Sequence, residues 1–175
     1  MKKIIYCLFV SVMLSACVSN SSKKSSSDQG SVEQSVVEHV QIEWNEPKYS
    51  VGDIIMVGGE LGVVFAVTSD GEHGKVMSVS QTECSWYKAK TWCARYGSSW
   101  RLPSVSELRI ISKKCDVLNS ALTANGYEIL GRYIWSSDED GSDSAWYVDM
   151  SYGCTGSDDK SDDGYVRAVS AFLKF

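Results

Sequence analysis

The sequence predicts an α+β domain, because β-rich runs come first and last along it with two helical patterns between them. Residues 53–79 supply the first part: DIIMV, then LGVVFAVTSDGEHGKVMSV, in which apolar runs alternate with glycine-bearing turns as in a hairpin or meander. The middle carries two capping signatures, Ser80 with Glu83 and Ser104 with Glu107, each introducing apolar residues at helical spacing. The C-terminal part returns to β-rich runs in YIWSS, SAWYVDM and YVRAVSAF, joined by loops of Asp, Gly and Ser.

The N-terminus precedes this domain and has a different character. MKKIIYCLFVSVMLSAC carries Lys2 and Lys3, an uncharged apolar run from Ile4 to Leu14, and small residues before Cys17. The run is shorter than the roughly 20 residues of a membrane span and follows the plan of a secretory signal. The string Leu14, Ser15, Ala16, Cys17 resembles the lipobox of bacterial lipoproteins, which implies cleavage before Cys17, acylation of its thiol and a membrane anchor. Residues 1–16 are therefore expected to be a signal peptide, residues 17–47 a lipidated cysteine with a Ser-rich tether, and residues 48–175 the domain. Val18 stands where inner-membrane retention would need an aspartate, so the outer membrane is the expected location. VSNSSKKSSSD cannot bury apolar surface and reads as flexible, and SVEQSVVEHVQIEWNEP reads as a short helix or strand ended by Pro47.

Within the domain, three strands are expected between residues 53 and 79. The first helix is expected from the Ser80 cap through Trp86, Ala89, Cys93 and Tyr96 to a stop at Gly97. The second starts at Ser104, with Val105, Leu108 and Ile111 forming its apolar stripe. Between them Trp100, Arg101, Leu102 and Pro103 form an extended link, since the proline disfavours a helical Leu102. After Cys115, DVLNSAL reads as a third helical turn ending at Asn125-Gly126.

Cys7 leaves with the signal and Cys17 is taken by lipid, so Cys84, Cys93, Cys115 and Cys154 remain as an even set in an exported chain. They read as two disulfides rather than a zinc site, because C-x-x-C pairs are absent. If Cys84 and Cys93 shared the first helix they would lie roughly 13 Å apart, beyond the reach of about 7 Å for bonded residues. Cys93 with Cys115 and Cys84 with Cys154 is the favoured connectivity.

Charge and composition exclude several functions. Loss of residues 1–16 removes two lysines and no acids, taking the formal charge from −5 to −7, which argues against a nucleic-acid partner. The only histidines are His39, in the tether, and His73, in a turn. No pair of carboxylates is singled out by spacing, so neither an enzyme nor a cofactor is expected. Acidic loops at Asp138, Glu139, Asp140 and Asp143, and at Asp158, Asp159, Asp162 and Asp163, could offer oxygen ligands to calcium. Neither fits a D-x-[DN]-x-[DN]-G loop, and solvated charge is the expected reading of the weak calcium candidates Asp138, Asp140 and Asp143. Five tryptophans from Trp86 to Trp146 and nine tyrosines supply rings for a core or for stacking on a ligand.

The order of Trp86-x-x-Ala89 leading to Cys93, then WRLPSVSEL from Trp100 to Leu108, then YIWSS from Tyr133 to Ser137, then VRAV from Val166 to Val169, resembles the Legionella collagen-like C-terminal domain family. The resemblance spans about Tyr49 to Phe175. It implies a C-type-lectin-like fold, with a mixed, mostly antiparallel sheet and two helices, preceded here by the hairpin or meander. In that frame Trp100, Leu102 and Leu108 belong to the core, Arg101 and Arg167 are structural, and Pro103, Glu107, Trp135, Ser136 and Ser137 complete the signature. The Glu-Pro-Asn or Gln-Pro-Asp and Trp-Asn-Asp motifs of calcium-dependent lectins are missing, as are the surroundings of the formylglycine-generating active site. The expected function is a lipid-anchored, non-catalytic binding or adhesion module for a glycan or protein, with a structural subunit of an envelope or fimbria-like assembly as the alternative.

Overall fold

The computed structural model describes residues 49–173. The expected signal peptide, Cys17 and the whole of the expected tether lie outside that range. The strands are β1 (Ile54–Val57), β2 (Glu60–Val67), β3 (His73–Ser78), β4 (Thr82–Ser85), β5 (Tyr133–Glu139), β6 (Ser144–Asp149), β7 (Thr155–Asp159), β8 (Asp163–Val166) and β9 (Val169–Leu173); the helices are α1 (Trp86–Tyr96), α2 (Val105–Ser112) and α3 (Cys115–Ala124). The fold class is α+β, as the sequence predicts.

Three antiparallel strands open the domain. β1 and β2 meet at Gly58-Gly59, whose φ angles of 61° and 91° suit a two-residue hairpin of the kind that matches strand twist. β9 returns from the C-terminus to pair with β3, giving a sheet ordered β1-β2-β3-β9. A second sheet is ordered β4-β8-β5-β6-β7 and is antiparallel except where β5 meets β8. The mixed, mostly antiparallel sheet that the resemblance implies is this second one, and the hairpin or meander expected before it is the start of the first. The chain passes between them within two residues, Arg167 and Ala168, which join β8 to β9.

Two expectations change. α3 is a full helix rather than a turn, so the domain has three helices among its described residues. α1 begins later than the Ser80 signature suggests: Thr82–Ser85 is strand, pairing Thr82 with Val166 and Glu83 with Tyr165, and the N-cap is Ser85 without a side-chain cap bond. Pairing with β8 satisfies backbone groups that a longer helix would have satisfied internally, and tertiary context overrides the local signature. α2 keeps its capping box intact: Ser104 Oγ accepts from the Glu107 N–H, and the Glu107 carboxylate accepts from the Ser104 N–H.

The sheets bury both faces. Val63, Phe65, Met77, Leu108, Ile111, Leu118, Leu122, Ile134 and Val148 form one core beneath α2 and α3. Val64, Val76, Trp86, Ala89, Cys93, Trp100, Leu102, Trp135, Val166 and Phe172 form another against α1. Adjacent residues such as Val63 and Val64, or Ile134 and Trp135, face opposite cores, which explains the unbroken apolar run in GVVFAV.

The two expected disulfides are absent: Cys84, Cys93, Cys115 and Cys154 are all free thiols. The favoured Cys93 partner, Cys115, packs against the first core whereas Cys93 is buried in the second, so the two belong to different layers. Cys154 is exposed in the turn between β6 and β7. The argument that kept Cys84 from Cys93 also lapses, since Cys84 lies on β4 rather than α1 and packs on the same core as Cys93. Burial pushes the Cys93 thiol up to about 12, with the Cys84 charge adding to the effect, and so keeps it protonated.

Candidate functional site

The sequence signature converges on a structural junction. Arg101 and Val169 exchange backbone hydrogen bonds at 3.0 and 2.8 Å, and the Ser137 N–H donates to the Pro103 carbonyl at 2.7 Å, so WRLP touches both VRAV and YIWSS. Arg101 donates from both terminal nitrogens to the Glu107 carboxylate, at 2.7 and 2.8 Å, and Lys75 adds a third donor at 2.9 Å. Burial alone would raise the Glu107 carboxyl, but these donors and the Ser104 N–H hold it down at about 2. Trp100 donates its indole N–H to the Val57 carbonyl at 3.2 Å, and Trp86 donates to the Ser136 carbonyl at 2.7 Å, where β5 departs from its register with β6. Leu102 and Leu108 are core. These residues assemble the fold.

Arg167 is fully buried and makes five hydrogen bonds, to the carbonyls of Ser78, Val79, Glu128 and Ile129 and to the Gln81 side chain. Desolvation brings its guanidinium down to about 10, which leaves it charged at neutral pH. It fastens the crossing between sheets to the end of β3 and to the segment leading into β5.

The acidic loop between β5 and β6 encloses a cation supplied by the chain itself. Lys160, 2% exposed, donates to the Glu139 carboxylate at 2.8 Å and to the carbonyls of Gly141 and Ser142 at 3.0 and 2.6 Å. An ammonium thus fills the oxygen-lined position that a metal would need. Asp138 is committed elsewhere, accepting from the Val105 N–H at 2.8 Å where α2 begins, which suits the positive end of a helix. Asp140 and Asp143 stay exposed. In the turn between β2 and β3, Asp70, Glu72 and His73 lie close together, but Asp70 already accepts from the Thr68 hydroxyl and the Glu72 N–H.

A different place has unmet bonding capacity. Tyr133 and Trp135, two apart on β5, share one face of the second sheet, and Tyr147 stands opposite Trp135 on β6. The rings meet edge to face, with Tyr147 centred 5.3 Å from Tyr133 and 6.1 Å from Trp135. With Asp158, Asp163 and Gly164 they line a cleft of about 290 Å³. Trp135 is 2% exposed, and its indole Nε1–H is the one buried side-chain donor without a partner among the described residues. Leaving such a group unmet costs about 1–3 kcal/mol. The nitrogen edge lies against Gly164, where an added Cβ would sit 2.6 Å away, so only glycine admits the indole there. Gly156 plays the same part under Tyr147, with its Cβ position 2.4 Å from the phenol oxygen.

A larger opening of about 690 Å³ lies between α2 and the β6–β7 turn, lined by Arg109, Ser112, Lys113, Tyr152 and Cys154 among others. It is a broad surface groove without a buried unpaired group. The Trp135 cleft is the better candidate.

Comparison with protein families bears directly on this arrangement of signature residues. The model of the Lcl C-terminal domain matches residues 42–170. The chain belongs to the Lcl C-terminal domain family. No curated protein matches it. The match covers both sheets of this Lcl C-terminal domain up to β9, and starts upstream of the boundary expected at residue 48.

Sequence reading placed Trp135 in the signature and noted Asp158 and Asp163 only as loop charge. It did not bring Tyr133, Tyr147 and Gly164 to the same cleft. The two-residue spacing of Tyr133 and Trp135 was a usable clue to a shared face. The pairing of Trp135 with Tyr147 was not readable, because it depends on register across a loop.

Proposed function

We propose that this Lcl C-terminal domain is a non-catalytic binding module for a glycan, held at the outer membrane by lipid on Cys17, with the Tyr133–Trp135–Tyr147 cleft as its ligand site. The observation that carries the reading is a cleft walled by the rings of Tyr133, Trp135 and Tyr147 and rimmed by two carboxylates, Asp158 and Asp163. Flat rings suit the apolar face of a sugar, and convergent donors and acceptors suit its hydroxyls. The Leu-Ser-Ala-Cys string supports the anchor. A fatty-acid analogue should label the wild type in cells and miss Cys17→Ser. The unlipidated Cys17→Ser chain, applied to a glycan array, should retain sugars that the same chain with Tyr147→Ala does not. Hits unaffected by Tyr147→Ala would move the site elsewhere, and a stoichiometric envelope partner with no glycan hits would favour the structural-subunit reading.

A further inference from the structure

We infer that the Tyr133–Trp135–Tyr147 cleft is one end of a longer track, and that the domain selects a neutral oligosaccharide by stacking a further sugar unit on Tyr152. The inference rests on the cleft being a glycan site and adds the length and charge of its occupant. Tyr133, on the wall of the cleft, and Tyr152, in the turn between β6 and β7, are joined by Arg132. The Arg132 guanidinium carbon lies 4.8 Å from the centre of the Tyr133 ring and 5.9 Å from that of Tyr152. Tyr147 continues the row on the other side, centred 5.3 Å from Tyr133. Tyr147, Tyr133, Arg132 and Tyr152 thus form a row from the cleft to the opening beside α2, which Tyr152 lines.

Three features decide what such a row would hold. The cleft itself, at about 290 Å³, is the scale of one sugar ring, so further units of a chain need a surface outside it. Tyr152 offers that surface: it is 75% exposed, and no hydrogen bond among the described residues ties down its hydroxyl. A single exposed ring is ordinary on a protein, but this one extends a row that already walls a cleft. Second, Arg132 is set before any ligand arrives. Its Nε donates to Asp149 at 3.2 Å, its Nη2 lies 3.1 Å from the same carboxylate, and Asp149 is itself fixed by the Ser151 N–H at 2.8 Å. A side chain so held loses little further freedom on binding, and its Nη1 hydrogens, with no acceptor among the described residues, suit the hydroxyls of a sugar between the two tyrosines. Third, the charge of Arg132 is already matched by Asp149, whereas Asp158 and Asp163 at the cleft have no ion-pair partner among the described residues. An acidic chain would meet like charge there, and a neutral one would not.

The test applies the full chain carrying Cys17→Ser to an array printed with neutral glycan series at one, two and four sugar units, beside uronate chains of the same lengths. The readout is the protein concentration at half saturation. Four units of a neutral series should bind about tenfold more tightly than one, the gain expected of one more stacked ring. Tyr152→Ala should remove that gain and leave the binding of single units unchanged, whereas Tyr147→Ala should weaken binding at every length. Tyr152 is an exposed turn residue outside both cores, so its variant should melt with the parent. Equal binding of one and four units, or a gain with length that survives Tyr152→Ala, would overturn the track and leave the cleft as a site for a single sugar. Tighter binding of the uronate chains would overturn the neutral occupant. No retention at any length would overturn both this inference and the assignment of the cleft.

Discussion

At full burial a guanidinium keeps its charge only where its donors are met, and in this domain backbone carbonyls do the meeting. Arg167 reaches four of them on segments far apart in the chain, at Ser78, Val79, Glu128 and Ile129. A lysine has the charge without the planar fork and offers three donors to the five acceptors around Arg167, the Gln81 side-chain oxygen included, so Arg167→Lys should leave at least two of them unpaired in the interior. At about 1–3 kcal/mol for an unmet buried group, the expected loss is roughly 3 kcal/mol or more. Thermal melts of the two proteins should then differ by about 10 °C. A difference within a degree or two would mean that Arg167 is not the clamp its contacts describe. Lys160 and Trp135 make the contrast plain: Lys160 has its acceptors within the loop, whereas Trp135 has none.

At the scale of elements, the link before α2 and the cap of that helix are one unit. Glu107 closes the capping box, receives Arg101 and Lys75, and is 3% exposed. Its folded pKa of about 2 lies below the ordinary 4.5. A depressed carboxylate stabilises the fold fully above the unfolded value and loses that contribution as the pH falls through the folded one. Wild-type stability should therefore decline between about pH 4.5 and pH 2 more steeply than that of Glu107→Gln, which should be less stable at pH 7 to begin with. Urea midpoints measured across that range give the comparison, and parallel acid limbs would refute the role of Glu107. The capping box was fully legible in the sequence because Ser104 and Glu107 act locally. The equally clear Ser80–Glu83 pattern misled, since β8 claims that backbone.

The domain over residues 49–173 is held by two cores and buried polar joints, with no disulfide among its four cysteines. Four free thiols and a lysine-filled acidic loop lead to one expectation: the melting temperature of the full chain carrying Cys17→Ser should respond to neither a thiol reductant nor a calcium chelator. A bound calcium would add RT ln(1 + [L]/Kd) to stability and lose it to the chelator. A drop of many degrees with reductant would restore a disulfide, which typically contributes about 2–4 kcal/mol. A drop with chelator would place an ion in a loop that Lys160 now occupies.

What the sequence determined by itself was local or periodic. The β-rich opening, the α2 capping box, the extended WRLP link and the α+β class all follow from residues within a few positions of one another. The ordered signature identified the family, because its markers are required together. The tertiary structure alone decided the rest. It added β9 to the sheet of the opening strands, because the two residues Arg167 and Ala168 carry the chain from β8 in one sheet to β9 in the other. It separated Cys93 from Cys115 by placing them in different cores. It also brought Tyr133, Tyr147, Asp158 and Asp163 around Trp135, through strand register and the side-chain-free surface of Gly164. Register is a long-range property: shifting β6 by one residue would turn Tyr147 to the other face, and no local pattern in the sequence forbids it.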